Sequence, residues 1–466
     1  MSKKNDLNPH SRRTFLRQLG TASAVAMGAP FIIGSGRSQV RNLNVKDTTR
    51  ERFSANDRVN YALIGAGGMG QGGMNQALRY DGFRLVAACD LYDSRLRRCK
   101  ERFGEHVDTT KDYREILDRE DVDAVLIATP DHWHDTIAID ALRSGKAVYC
   151  EKPVTQRVEE AHPVIEAARQ SSMPMQVGSQ RTSSILYAKA RELYLNGAIG
   201  ELNFVEAYWD RFSATGAWQY SIPPSASPEN VDWKTFRKDL PDIPFNATHF
   251  FRWRNYDDYG TGVSGDLFVH LFSGLHLILG TTGPNRIYAT GGLRYWHDGR
   301  DAADMMLGLF DYPESGDHPA FNLALRVNFV DGSGGGSQIR LVGSEGEMII
   351  GGSSVKVRSS KLTPPGMTIG DFSEDIREEY EEYHAAKYPP KPPEVIEPDE
   401  LEYRAPSGYS DLYDHHVNFH NAIRNGAPVV QDPTFALRAA GPAILAGESQ
   451  KSGRIIEWNP ELMRTV

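Results

Sequence analysis

The sequence predicts an α/β chain: an N-terminal doubly wound parallel sheet, then an α+β domain built on a largely antiparallel open sheet. Three observations predict it. Between residues 59 and 178, short apolar runs alternate with helix-like stretches, the pattern of right-handed βαβ units. A glycine-rich turn follows the first of those runs at once. Beyond residue 202, strand-like runs succeed one another through short turns, which implies antiparallel pairing with helices on one side. With 466 residues, 40% of them apolar, the chain has material for two or three domains and a large core without covalent staples. Its net charge of −9 is diffuse, which argues against a protein that tracks nucleic-acid backbone or anionic lipid. Cys89, Cys99 and Cys150 show neither CxxC nor His-paired spacing, so no disulfide framework and no metal site is expected.

Residues 1–40 read as an export signal. Lys3, Lys4, Arg12, Arg13 and Arg17 form a basic region, no charge occurs from Gln18 to Gly36, and small residues lie near Ala24 and Ala26. Pro30 and many small residues make the stretch too broken for a membrane span. The Arg12–Arg13 pair followed by Phe15 and Leu16 resembles the bacterial twin-arginine signal. A periplasmic or otherwise exported location is therefore expected, with the twin-arginine machinery as a partner. That route carries folded proteins, often with a cofactor already seated. Residues 41–57 are polar and unpatterned and read as a linker.

Residues 58–178 read as a dinucleotide-binding domain of the Rossmann type. Val59–Ile64 is β-rich, and Gly65, Gly67 and Gly70 then complete a G-x-G-x-x-G turn. Gly65 permits the tight turn and Gly67 the approach of a pyrophosphate. Gly70 allows close helix–strand contact, and the helix N-terminus receives the phosphate charge. A second run, Phe83–Cys89, ends at Asp90, twenty residues beyond Gly70. A carboxylate there accepts from ribose hydroxyls and repels a 2′-phosphate, so NAD is preferred over NADP. The alternation continues with helices over 93–103 and 112–119, a strand at Val122–Ala128, a helix over 134–144, a strand at Ala147–Cys150, a helix over 157–171 and a last strand at Met175–Gly178.

The turn Thr129-Pro130-Asp131-His132-Trp133-His134, and Glu151-Lys152-Pro153 one helix and one strand later, resemble the Gfo/Idh/MocA oxidoreductase family. The resemblance covers nearly everything after residue 57. It implies that Lys152 sits beside the nicotinamide and the substrate hydroxyl, that Thr129, Pro130, His134 and Glu151 border the cofactor, and that the protein is a homo-oligomer. A lysine close to a cationic ring and removed from water is a suitable proton acceptor. Gln180 and Arg181, just past the last strand, are expected to face the cleft.

Residues 179–466 read as the substrate-binding and oligomerisation domain. Asp266 and His270 stand at i and i+4 after the Gly260–Gly265 entry, on one helix face, so Asp266 can orient the imidazole or bind substrate beside it. The family resemblance implies that His270 is a base or proton relay. Relatives often place an acidic residue three positions later; this chain has Ser273 and then His276, read as substrate-pocket variation. Strands are expected at Leu202–Trp209, Arg286–Thr290, Leu323–Phe329, Gln338–Val342 and Glu347–Ile350, with Asp331–Ser337 as a hairpin loop. From Trp209 to Tyr259, 12 of 51 residues are aromatic, and aromatic faces beside arginines suit sugars. Tyr295–Arg300 is a second polar–aromatic knot on the same expected cleft. Residues 386–405 read as a proline-rich surface arm, and 411–425 and 435–452 as helices.

These readings converge on an exported NAD-dependent oxidoreductase acting on a hydroxyl of a sugar, cyclitol or glycoside, with tightly retained cofactor and with Lys152 and His270 handling the proton. Two alternatives stand beside it: NAD-dependent glycoside hydrolysis through transient oxidation and elimination, and a non-catalytic sugar-binding protein.

Overall fold

The computed structural model describes residues 38–360, 368–389 and 400–466, apart from Lys46, Arg50 and Ala55. The expected signal therefore lies outside the described residues up to Arg37, as does the proline-rich stretch from 390 to 399. No helix of the described residues is long and apolar enough to cross a membrane.

Strand β1 is Ser38–Asn42. The first α/β layer then runs β2 (Val59–Ile64), α1 (Gly68–Ala77), β3 (Phe83–Cys89), α2 (Asp93–Phe103), β4 (Asp108–Thr110), α3 (Tyr113–Leu117), β5 (Ala124–Ile127), α4 (His134–Arg143), β6 (Ala147–Cys150), α5 (Val158–Gln170) and β7 (Met175–Val177). Its six strands lie in the order β4-β3-β2-β5-β6-β7, all parallel. Every residue of β5 and of β6 is buried, as a sheet covered by helices on both faces requires. The order reverses beside β2, so the crevice at the carboxyl ends of β2 and β5 is where such a sheet takes a ligand.

After α6 (Ile185–Leu195), the chain builds a sheet from β8 (Leu202–Asp210), β9 (Arg286–Gly292), β10 (Met305–Tyr312), β11 (Phe321–Asn328), β12 (Gly336–Gly343), β13 (Gly346–Ile350) and β14 (Ser354–Ser359). Between β8 and β9 lie α7 (Trp233–Arg237), α8 (Ala247–Phe251) and α9 (Val269–Leu279). The exposed helix α10 (Glu374–Lys387), β15 (Glu400–Arg404), α11 (Asp411–Asn425), α12 (Pro433–Ser452), β16 (Ile456–Asn459) and β17 (Arg464–Thr465) complete the chain. The sheet has eleven strands in the order β1-β15-β14-β13-β12-β8-β11-β10-β9-β16-β17. All neighbours are antiparallel except β1 with β15 and β8 with β11. Burial alternates along β10 and β11, so one face packs on α9 and α12 and the other is open. Helix α12 begins where Asp432 caps it (Oδ1 to the Phe435 N–H, 2.8 Å) with Pro433 in the first turn, and ends at left-handed Gly453.

Three expectations are corrected. The Asp331–Ser337 loop is no hairpin: β8 lies between β11 and β12, because β8 pairs with both. The segment read as linker and signal end supplies β1, held in place by β15, and β15 occupies the end of the stretch read as a surface arm. Strands β10 and β14 stand where no strand was expected.

Candidate active site

Tight packing shapes the turn after β2. Gly65 adopts φ +94°, and a Cβ on it would lie 2.5 Å from the Ala128 carbonyl oxygen. A Cβ on Gly70 would lie 2.0 Å from the Gly65 carbonyl oxygen, so Gly70 sits behind the turn and lets α1 start close against β2. Gly67 and Gly68 face the other way, with Gly68 open for 4 Å around its Cβ position. Asp90, at the end of β3, braces this turn: Oδ2 accepts from the Ala66 N–H (2.8 Å) and Oδ1 from the Tyr92 N–H (3.0 Å). Arg95 lies 3.5 Å from the same carboxylate.

From here a cleft of about 760 Å³ runs along the carboxyl ends of the parallel strands to the second sheet. Gly65, Gly67 and Asp90 border one end of it. Thr129, Pro130 and His134 border the middle, and Glu151, Lys152, Asp266 and His270 the other end. The structure thus brings together every predicted site residue except Gly70, which supports the cleft from behind. Gln180 and Arg181 also border it, Arg181 anchored on Asp411 at 2.8 Å.

At the far end, Lys152 donates from Nζ to both acceptors of one residue, Asp266 Oδ1 (2.7 Å) and the Asp266 carbonyl oxygen (2.8 Å). Both side chains are buried, at 10% and 8% exposure, and Arg254 Nε adds a longer contact of 3.4 Å to Oδ1. Burial opposes the charge on Asp266, but Lys152, Arg254 and Arg211 outweigh it and hold its carboxyl well below the usual carboxylate range. Glu151 is compensated less. Burial pushes its carboxyl up to about 7, only partly offset by Lys152 and Arg254. Burial also pushes the Asp131 carboxyl up, and its Oδ2 accepts from the Thr261 N–H and hydroxyl at 3.1 and 2.9 Å.

His270 differs from expectation. It makes no bond to Asp266, because Ser264–Phe268 form a π-helical turn before α9, and the wider i→i+5 ring turns the carboxylate toward Lys152. Burial, with Lys152 and Arg181 adding to it, pushes the imidazole well below its ordinary value, so the ring is neutral near pH 7. Its Nδ1 has no hydrogen-bond partner among the described residues, and the ring lies 4.8 Å from that of Trp209. A neutral, unengaged imidazole at a cleft wall can accept or pass a proton. His134 ties two turns together, with Nδ1 2.7 Å from the Pro153 carbonyl oxygen and Nε2 3.0 Å from that of Thr129.

Two further expectations fail. Ser273 returns its hydroxyl to the Val269 carbonyl oxygen, and His276 bonds the Tyr312 hydroxyl, both buried away from the cleft. Tyr295–Arg300 does not line the cleft and is largely exposed; Asp304 gathers the N–H groups of Arg294, Tyr295 and Trp296. The aromatic segment divides. Trp209, Trp218, Tyr220, Phe236 and Trp253 border the cleft, whereas Trp233, packed on Phe236 and Phe245, does not. Arg211 and Arg254, given no role by the motifs, face the same space; their signal was only their place beside tryptophans.

A dinucleotide fits these residues. The cleft volume is in the range of small-molecule sites, the glycine turn leaves backbone open at a helix N-terminus, and the Thr129 hydroxyl is buried without a partner among the described residues.

Comparison with known proteins agrees on the family. The model "Oxidoreductase family, NAD-binding Rossmann fold" matches residues 59–179, and "Oxidoreductase family, C-terminal alpha/beta domain" matches residues 230–458. An alpha-N-acetylgalactosaminidase of Shewanella oneidensis is 30% identical over 210 residues, 42% of this chain and 45% of that protein. A glycosyl hydrolase family 109 protein of Saccharopolyspora erythraea is 26% identical over 271 residues, 56% and 53% of the two. The chain spans about half the length of the curated relatives it matches. Among solved structures, a levoglucosan dehydrogenase in complex with NADH and levoglucosan aligns with a TM-score of 0.59 at 18% identity over 86% of this chain and 99% of that one. An oxidoreductase from Thermotoga maritima gives 0.61 at 16% identity over 87% and 100%. These likenesses are of fold. The two family models together span most of the chain, and the protein belongs to the Gfo/Idh/MocA oxidoreductase family, with an NAD-binding Rossmann domain followed by the family's C-terminal α/β domain.

Proposed function

We propose that the protein is an NAD-dependent enzyme acting on a hydroxyl of a sugar, cyclitol or glycoside, with the cofactor tightly retained through turnover. The observation that carries this reading is the buried Lys152–Asp266 pair beside an unengaged neutral His270 at the end of the cleft remote from Asp90. Bound there, NAD supplies a hydride acceptor and, when reduced, a donor. Lys152 Nζ, fixed by two oxygens of Asp266, holds a substrate hydroxyl and governs its proton. His270 takes up or returns a proton through its neutral imidazole. Trp209 and Trp253 offer apolar faces for a pyranose, and Arg211 and Arg254 donors for its hydroxyls.

Net glycoside hydrolysis is the second reading, favoured by the names of the sequence relatives. Oxidation of a hydroxyl to a ketone acidifies the adjacent C–H, and a base in the cleft, a need that His270 meets, removes that proton as the aglycone leaves. Water then adds in the aglycone's place, and the ketone is reduced again by the hydride first removed. Retention follows from the twin-arginine motif of residues 12–16: an exported enzyme works where free nicotinamide nucleotide is scarce. We further propose that the chain forms a homo-oligomer through the open face of its large sheet, where Tyr288, Leu307 and Leu309 are exposed. The test is to denature the purified protein, identify released nucleotide by mass spectrometry, and assay glycosides for free sugar and for net NADH. Stoichiometric NAD with sugar release and no net NADH selects hydrolysis; net NADH selects the dehydrogenase. A Lys152→Ala variant with undiminished turnover removes the assignment of Lys152.

A further inference from the structure

The loop that follows Asp90 is stitched to the second half of the chain. The Asp93 N–H donates to the Asn230 carbonyl oxygen (3.1 Å), the Asp232 N–H to that of Leu91 (2.8 Å), and Tyr92 pairs with Val231 in an isolated antiparallel bridge. Above this bridge, Arg95 stands between the two domains. Its guanidinium carbon lies 5.4 Å from the ring centroids of both Phe250 and Phe251, while a Cβ on Gly67 would be 3.7 Å from it. Tyr92 backs Phe251 edge-on at 5.2 Å. On the other side of the cleft the same segment is tied to the turn after β5. The Phe236 carbonyl oxygen lies 2.8 Å from His132 Nε2 and accepts from Trp133 Nε1, and Lys238 bonds the His132 carbonyl oxygen and Asp135. Arg95, Phe250, Phe251 and Asp232 all border the cleft beside Asp90.

We propose that residues 230–251 roof the adenosine half of the cofactor cleft, that Arg95, Phe250 and Phe251 bind the adenosine moiety, and that this roof makes the cofactor resident. The inference rests on the reading that the cleft holds NAD. The chemistry suits a purine nucleotide: aromatic edges and a guanidinium plane stack on a base, and the guanidinium also favours a nearby pyrophosphate. With backbone bonds on one flank of the cleft and side-chain bonds on the other, a bound dinucleotide leaves only when the roof opens.

Two variants probe the roof without removing its buried rings. Arg95→Met deletes the guanidinium. Asp93→Pro deletes the N–H that bonds Asn230 at the first position of α2, where proline is favoured in a helix; Tyr92 before it is already extended at φ −120°. The readouts are NAD per chain after prolonged dialysis and the dissociation rate of NADH, chased with excess NAD and followed by fluorescence. Wild type is expected to keep its nucleotide, and each variant to release NADH roughly tenfold faster or more with an unchanged thermal melt. Variants that release at the wild-type rate, or a wild type that takes up NAD but exchanges it as fast as they do, overturn the roof alone. A wild type that takes up no NAD overturns the functional reading and the roof with it.

Discussion

Glu151 is 6% exposed, packed against Tyr149 and Gly178, and burial pushes its carboxyl from 4.5 up to about 7. Between those two values the folded chain binds a proton that the unfolded chain has released, so stability falls as pH rises through this window. At about 1.4 kcal/mol per pH unit, the gap from 4.5 to about 7 is worth about 3 kcal/mol. Glu151→Gln removes the titration while leaving the Lys152–Asp266 pair in place. Relative to wild type, the variant should therefore gain about 3 kcal/mol between pH 4.5 and pH 8, with no gain below pH 4.5. Urea unfolding of nucleotide-free protein, followed by tryptophan fluorescence at a series of pH values, reads the difference directly. Wild-type and variant stabilities that run parallel across the window would falsify the assignment of a protonated Glu151 beside Lys152.

Three further outcomes follow from the same geometry. Asp266→Asn should lose most turnover and about 3–5 kcal/mol of stability in urea unfolding at pH 7, because it leaves Lys152 buried without its carboxylate. The wild-type advantage should shrink only as pH falls below 3.8, since the folded carboxyl lies below its ordinary value. Gly70→Ala should weaken NAD binding in calorimetric titration and cost about 1–3 kcal/mol of stability, because its Cβ meets the Gly65 carbonyl oxygen at 2.0 Å. Asp90→Asn keeps an acceptor but loses the charge; NAD should bind roughly tenfold more weakly and the preference over NADP should narrow, read as the ratio of the two dissociation constants.

The parallel sheet was legible because its strands announce themselves locally. AVLI and AVYC are apolar throughout and VNYALI is apolar but for Asn60, and each is followed by a turn that cannot continue the strand. The second sheet was legible only where propensity and position agreed. Strand β1 (SQVRN) and strand β15 (ELEYR) are mostly polar, and each is a strand because the other, or β14, lies beside it. The insertion of β8 between β11 and β12 joins segments more than a hundred residues apart, and nothing in the loop between β11 and β12 records it. At the site, the family resemblance pointed to Lys152 and the i, i+4 spacing to Asp266 and His270, and the three line one cleft. Spacing could not report which pairs bond, since the partner of Asp266 is 114 residues away and the competing partner is only four.

The choice between those partners is made by a single irregular turn. In a regular α-helix the Asp266 carbonyl would be engaged by the N–H of residue 270, and only the side chain would remain for the cleft. The π-helical turn Ser264–Phe268 changes that: the carbonyl and the carboxylate of Asp266 both reach Lys152 Nζ, which therefore has two of its three protons committed to one residue. A lysine so held has one donor left to point at a substrate. Lys152 comes from the parallel sheet and Asp266 from the second domain, so this alignment exists only where the domains meet. The same junction leaves His270 without a carboxylate, neutral and free at Nδ1. One turn thus separates the two side chains: a lysine held by two oxygens of Asp266 on one wall of the cleft, and a neutral imidazole beside it.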